Sequence, residues 1–247
     1  MTVHLVGAGP GDAELLTLRA ARLLSTADAV VFDRLIGDEI LDLVTPSAER
    51  YPVGKQPGRP SPPQESINDL LVDLGHRLET VVRVKGGDPY LFGRGIEERR
   101  ALENAGLAVD VVPGISSALA APTSAGVSVT ERGVSSGVCI VTAHQDDESK
   151  PIDWAALASS GLTIVVLMGA RRAALIRDLL IAGGLSSMTP TAVVTDATRL
   201  SQATWRGPLH RLGQTPVASP SVLVIGEVAA AQLAISQPQP ALVGRAV

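Results

Sequence analysis

Aromatic residues are nearly missing from this chain, with two Trp, two Tyr and two Phe among 247 residues. The core must therefore be assembled from Leu, Val, Ile and Ala, and modules that stack nucleic-acid bases on aromatic rings are disfavoured. An excess of charge of one sign is missing too. Lys and Arg total 21 against 25 Asp and Glu, and a net charge of -4 disfavours binding along a phosphate backbone while leaving room for a local basic pocket. The single cysteine, Cys139, excludes an intrachain disulfide and suits a reducing compartment. It lies in the strand pattern GVCIVTA and is expected to be a buried, inert thiol. His4, His76, His144 and His210 lack metal-ligand spacing, so no metal site is expected. GxSxG, HExxH and Walker A patterns are missing as well. Apolar runs such as TIVVLMGA fall short of the roughly 20 residues that span a bilayer, and the first residues lack the basic and apolar regions of a signal peptide. These absences predict a soluble, cytoplasmic protein that binds neither nucleic acid nor membrane.

What is present is an alternation of strand and helix signals. TVHLVG, DAVVFD, RYPVG, TVVRVKGG and LAVDVVPG read as strands. Between them, helices are predicted over Glu14–Ser25 with Asp12 as its cap, near Asp38–Leu43, over Gln64–Leu78 and over Arg94–Ala105. Gly54–Pro63, rich in Gly and Pro, reads as a loop. Apolar strands alternating with helices predict a mostly parallel sheet covered on both faces. ISSALAAPTSAG is a helix or a connector. After it come VCIVTA, TIVVLM, TAVVTDA, QATWRG and SVLVIGEV, with one clear helix over Arg171–Ala182, which predicts a mixed sheet. The expected division is an N-terminal α/β domain over 1–114, a C-terminal α/β domain over 115–240 and a frayed tail over 241–247.

The first strand runs into Gly7-Ala8-Gly9-Pro10-Gly11-Asp12, which has the outline of a dinucleotide-binding turn. A helix N-terminus offers free N–H groups to phosphate. Here Asp12 brings its own carboxylate to those groups, Pro10 removes a donor, and the third glycine of the fingerprint is missing. The turn is better made for a neutral or cationic ligand, or is simply a capped structural turn. Three more strand ends carry Asp33-Arg34, Gly86-Gly87-Asp88-Pro89 and Pro113-Gly114-Ile115-Ser116-Ser117. Each is ordinary turn chemistry alone. Together on the ligand-collecting edge of an open sheet they suggest a site where backbone approaches a flat ligand.

GAGPGDAELLTLRA, VVFDRLIGDEIL, the GK turn before QESIN, VVRVKGGDPYLFGRGIEE, VVPGISSALAAPTSAGVSVTERG and VLMG resemble the uroporphyrinogen-III C-methyltransferases, in their order and spacing, through nearly the whole chain. GAGPGD and GGDP are shared by the wider tetrapyrrole methylase class. The DRL, GK, QESIN and FGRG motifs point to the uroporphyrinogen enzymes, and the lack of room for an added dehydrogenase–chelatase module makes the single-function form the one the chain is expected to resemble. The resemblance implies a two-domain fold with the active site in the cleft between the domains, and a homodimer. It also implies S-adenosylmethionine-dependent methylation of two pyrrole rings of uroporphyrinogen III to precorrin-2, a step toward siroheme or cobalamin. By motif it places Pro10, Gly86, Gly87, Asp88, Leu91, Ser116, Ser117, Met168 and Ala197 at the cofactor. It makes Asp33 the proton acceptor and Lys55 the donor, and ties Arg94, Glu97 and Arg132 to the substrate. Ile96, Glu131 and Gln56 depart from the family's usual Gly, His and Arg.

The methyl donor has a sulfonium and an ammonium and no phosphate, so an acid at the first turn is tolerable. The substrate carries eight carboxylates, for which Lys55, Arg59, Arg94 and Arg132 are candidate counter-charges. A carboxylate such as Asp33 can take the proton the methylated ring must lose, or can pair with Arg34 or another arginine. Asp88 is a candidate for the ribose hydroxyls or the ammonium. Glu97–Arg100 reads mostly as a solvated helix face. The residues taken alone leave open a methyltransferase for a later corrin precursor, a non-catalytic binder, and a nucleotide-binding oxidoreductase, against which Asp12 speaks.

Overall fold

A computed structural model of the chain describes residues 1–54, 62–143, 151–214 and 216–230. The chain divides into two units, Met1–Ala120 and Ala121–Val247.

The first unit is built on five parallel strands. They are β1 (Thr2–Gly7), β2 (Ala29–Phe32), β3 (Glu49–Pro52), β4 (Thr80–Lys85) and β5 (Ala108–Val112), in the order β3-β2-β4-β1-β5. Four helices punctuate them: α1 (Leu18–Ser25), α2 (Asp38–Leu41), α3 (Gln64–Arg77) and α4 (Gly95–Asn104). Strand side chains alternate between faces, and both faces are apolar. Val6, Val30, Val82, Val84 and Val112 pack with Ala20 and Leu24 of α1 and Ile40 of α2. Val3, Leu5, Ala29, Val31 and Val81 pack with Leu71 and Leu74 of α3 and Leu102 of α4. This is why the strands read as near-continuous Val and Leu runs.

The second unit begins within α5 (Ser117–Ser124) and holds β6 (Val138–Thr142), α6 (Trp154–Ser159), β7 (Thr163–Leu167), α7 (Ala173–Ala182), β8 (Pro190–Thr195), β9 (Ala203–Pro208) and β10 (Ser221–Ile225). Its sheet runs β6-β7-β10-β8-β9. Only β6 and β7 are parallel, so the sheet is mixed, as its sequence implied. Ile164, Val166, Val193, Leu223 and Ile225 pack beneath Ile176 and Leu180 of α7.

Several local expectations are corrected. The helix read from Glu14 to Ser25 is a 3₁₀ turn over Ala13–Leu15 followed by α1. Asp12 caps only the turn, accepting from the Glu14 amide at 2.8 Å. The cap of α1 is Thr17, whose extended backbone interrupts the helix and whose Oγ1 accepts from the Ala20 amide at 3.1 Å. Thr17→Ala is expected to lower stability by about 1 kcal/mol in urea unfolding, the usual worth of such a cap. Likewise a 3₁₀ turn over Ala170–Arg172 precedes α7. The unforeseen α6 is capped by Asp153, which accepts from the Ala156 amide at 2.9 Å. Cys139 is half-buried, not buried, because β6 is an edge strand with no fully buried residue. Residues 241–247 lie outside the described residues.

Candidate functional site

All five strands of the first unit point the same way, so their C-terminal ends share one edge. In open α/β sheets this is the edge that collects ligands. Backbone meets backbone there. A Cβ added at Gly114 would stand 2.2 Å from the Gly87 oxygen and 2.7 Å from Gly7 Cα, and one added at Gly7 would stand 2.5 Å from the Gly114 nitrogen. Glycine is required at both by close approach. The first turn and the β4 turn are tied by reciprocal bonds. Gly87 N donates to the Gly9 oxygen at 2.7 Å, and Gly9 N donates to the Gly87 oxygen at 3.2 Å. Gly86, by contrast, is exposed, and the nearest atom to an added Cβ is Leu35 Cβ at 3.9 Å. Its bare backbone forms a ledge on which a flat ligand can lie.

Asp88 does not extend a free carboxylate. Its Oδ1 accepts from the Tyr90 amide at 2.8 Å, and its Oδ2 accepts from the Gly114 amide at 3.1 Å. The side chain expected to meet a ribose or an ammonium first of all binds the β4 turn to the β5 turn. Ser116 does similar work, since its Oγ accepts from the Ala118 amide at 3.2 Å at the start of α5. Beyond Asp88 the chain coils around the Pro89 carbonyl. A Cβ at Gly93 or Gly95 would lie 2.9 or 2.5 Å from that oxygen, and Phe92 and Arg94 both take left-handed backbone conformations, with φ of 56° and 57°. Strain of this kind collects at ligand sites. Arg94 and Glu97 are both exposed and form a forked pair, Nε to Oε1 at 3.0 Å and Nη2 to Oε2 at 2.8 Å. The Arg94 guanidinium holds the Glu97 carboxyl below its ordinary pKa.

Asp33 follows β2 on the α3/α4 face of the sheet, in phase with Ala29 and Val31. Its partner is Arg83, not Arg34. Arg83 Nη2 donates to Asp33 Oδ1 at 2.7 Å. Asp33, Arg34, Leu35, Val53, Gly54, Pro62 and Ile67 line a pocket of about 360 Å³. Arg83 and Lys85 share that face with Val81 and are 2 % and 3 % exposed. Glu98 of α4, fully buried, answers both. Its Oε1 accepts from Lys85 Nζ at 2.7 Å, from Arg83 Nε at 3.1 Å and from Gln64 Nε2 at 3.3 Å. Its Oε2 is buried without a partner. Burial, with repulsion from Arg83, pulls the Lys85 ammonium below its ordinary pKa despite Glu98. This cluster escaped the sequence reading. Glu98 belongs to a run taken as a mostly solvated face, yet two cations inside the strand TVVRVK were a signal that something buried must neutralise them.

In the second unit β7 and β8 run in one direction on either side of β10. Met168 and Ala197, just past their ends, therefore lie at the same sheet edge. Met168 has φ 56° and is half-exposed, while Asp196 and Thr198, with φ of 47° and 67°, flank the buried Ala197. Arg132 is exposed in the turn closed by the Glu131–Ser135 bridge, away from both strand ends in sequence. Lys55, Gln56 and Arg59 lie outside the described residues. Among the described residues no His, Cys, Asp or Glu cluster could hold a metal, and no helix is long and apolar enough to cross a membrane.

A profile of the Tetrapyrrole (Corrin/Porphyrin) Methylases matches residues 2–213. The chain belongs to this family. The methylase is 37% identical to a Thermus thermophilus uroporphyrin-III C-methyltransferase solved with S-adenosyl homocysteine, with a TM-score of 0.82, covering 93% of this chain and 99% of that one. It is 47% identical over 229 residues to a siroheme synthase of Baumannia cicadellinicola, and 46% identical over 230 residues to siroheme synthase 1 of Yersinia pseudotuberculosis. Each match covers 92% of this chain and 50% and 48% of those proteins. The methylase thus spans about half the length of the curated relatives it matches. The mostly parallel sheet and the mixed sheet expected from the strand patterns match the fold of its structural neighbours.

Proposed function

We propose that this methylase transfers two methyl groups from S-adenosylmethionine to uroporphyrinogen III, giving precorrin-2 for siroheme or cobalamin synthesis. The observation that carries the reading is the glycine ledge at Gly86 and Gly87 beside a strand-end carboxylate, Asp33. Its support from relatives is the Thermus enzyme's name and its complex with S-adenosyl homocysteine.

The residues present fit such a cofactor. Asp12 occupies the amide at the first turn with its own carboxylate, which disfavours a phosphate-bearing ligand and tolerates a sulfonium and an ammonium. Pro10, Gly86, Gly87, Asp88, Leu91, Ser116, Ser117, Met168 and Ala197 would hold it. When bound, S-adenosylmethionine supplies a methyl on a sulfonium, so that a carbon–carbon bond to the pyrrole forms as the sulfur–carbon bond breaks. The chain's part is alignment, exclusion of water and handling of a proton. Asp33 takes the proton that the methylated ring must lose, with Oδ2 as the accepting atom because Oδ1 is engaged by Arg83. Arg94 and Arg132 offer forked guanidinium donors to substrate carboxylates. For Arg94, binding exchanges or shares the Glu97 carboxylate. Lys55 as proton donor rests on its motif. We also propose a cytoplasmic homodimer, from the resemblance and the single cysteine, with light scattering as its check.

Anaerobic incubation with S-adenosylmethionine and uroporphyrinogen III, followed by mass spectrometry, tests the reading. A gain of two methyl groups is expected. No gain, with the cofactor still bound, would move the assignment to a later corrin precursor.

A further inference from the structure

A strand-end aspartate has a short, freely rotating side chain, and among the described residues no group of the Asp33 turn bonds its carboxylate. Here the fixing group comes from the next strand. Arg83 is opposite Val31 in the β2–β4 ladder, so its side chain runs along the sheet toward Asp33. Every arm of the guanidinium is engaged. Nη1 donates to the Val84 carbonyl at 3.0 Å, Nε to Glu98 Oε1 at 3.1 Å, and Nη2 to Asp33 Oδ1 at 2.7 Å. Glu98 in turn is held by Lys85 and Gln64. The guanidinium is planar and 2 % exposed, so three anchors leave it no freedom to swing. The Asp33 carboxylate, itself one-third exposed, is the only member of the chain of contacts that reaches the 360 Å³ pocket.

We propose that Arg83 is a positioning residue for methyl transfer, acting through Asp33, with Glu98 as the buried anchor that sets its orientation. The guanidinium pins Oδ1 and so presents Oδ2 as the proton-accepting atom. Arg83 touches neither substrate nor cofactor. The inference rests on the reading of Asp33 as proton acceptor and adds the device that aims it. The charged groups facing Arg83 are Asp33 at the end of β2, Lys85 on its own strand and Glu98 from α4, and a neutral amide, Gln64, closes the cluster from α3.

The test is steady-state methyl transfer by the full chain carrying Arg83→Gln, Arg83→Lys, Asp33→Asn, or Asp33→Asn with Arg83→Gln. Arg83→Gln leaves the Lys85–Glu98 pair intact at 2.7 Å, so the buried charges stay balanced and the unit folds. Misdirecting a reacting group by about 1 Å costs on the order of 100-fold. We expect kcat to fall about 100-fold with KM within about two-fold of wild type. Arg83→Lys, a single-point donor able to serve one carboxylate at a time, should recover part of the loss. In the Asp33→Asn background, Arg83→Gln should change kcat by less than about two-fold, since there is no carboxylate left to aim. S-adenosylhomocysteine affinity, measured by calorimetry, should be unchanged in all four.

Multiplying losses in the double variant, or a kcat untouched by Arg83→Gln, overturns the proposal. So does a fall in S-adenosylhomocysteine affinity that matches the fall in kcat, which marks Arg83 as a structural residue only. An Asp33→Asn enzyme as fast as wild type overturns the role of Asp33 and this inference with it. A wild-type chain that binds the cofactor and methylates nothing overturns the functional reading instead.

Discussion

Glu98→Gln is expected to destabilise the first unit by about 3–5 kcal/mol in urea unfolding followed by circular dichroism. Glu98 is the carboxylate on which two buried cations converge. Arg83 and Lys85 are 2 % and 3 % exposed, and without Glu98 the carboxylate still bonded to the pair among the described residues is Asp33, one-third exposed and held by Arg83. Removing one partner from a buried ionic group costs about 3–5 kcal/mol, because a desolvated charge is left uncompensated. The amide cannot substitute. Its oxygen would face two cationic donors with no charge, and its NH₂ would lie where Oε2 already lacks a partner. Lys85→Met is the informative contrast. It leaves Arg83 paired with Glu98 one to one and removes an ammonium whose charged form burial disfavours, so its cost should stay within about 1 kcal/mol. If the two variants cost the same, the cluster is not organised around Glu98.

The pH dependence has a definite sign. Lys85 is held below its ordinary value of 10.5, first by burial and second by Arg83. Between its folded value and 10.5 the unfolded chain binds more protons than the folded one, so this group's contribution makes stability rise with pH in that window. Without Glu98, which raises the Lys85 value, the lysine sheds its charge at a lower pH than in the wild type, so the Glu98→Gln deficit should narrow between the variant's folded value and the wild-type one and stay level above it. A deficit that never narrows as pH rises toward the wild-type folded value would mean that Lys85 finds another counter-charge.

The sheet of the first unit was legible in the sequence because both its faces are apolar. Val-rich runs such as VHLV and AVVF identify buried parallel strands with little ambiguity. Edge and turn chemistry was less legible. Thr17, not Asp12, caps α1, and a reading from Asp12 alone starts the helix at Glu14, four residues before Leu18. Among the candidate site residues, motif placed Gly86, Gly87 and Asp88 at a strand end together with Gly114 and Ser116. Their mutual grip, through backbone contacts and the two amides on Asp88, is a property of the third dimension. Glu98 shows the limit most clearly. In EERR its neighbours are exposed or partly exposed, and only the inward phase of α4 against Arg83 and Lys85 separates it from them.

The largest loss of ligand binding is expected from a single methyl group, Gly114→Ala. Its Cβ would stand 2.2 Å from the Gly87 carbonyl oxygen and 2.7 Å from the Cα of Gly7. All are backbone atoms of adjacent strand ends, so no flexible side chain can yield, and β4, β1 or β5 must shift. Such overpacking costs about 1–3 kcal/mol or more. The shift would also open the Gly9–Gly87 bridge and draw the Gly114 amide from Asp88 Oδ2, which dismantles the ledge. S-adenosylhomocysteine affinity by calorimetry should fall at least 100-fold, about 2.7 kcal/mol. Gly86→Ala separates the two effects. Its nearest neighbour is Leu35 Cβ at 3.9 Å and its backbone is not left-handed, so the fold has room for the methyl and the melting temperature should hold. Yet the same methyl would rise from the surface on which the cofactor is proposed to lie, and affinity should still drop. If Gly86→Ala binds as wild type does, the ledge is a packing device of the β1, β4 and β5 ends, and the cofactor lies elsewhere on this edge.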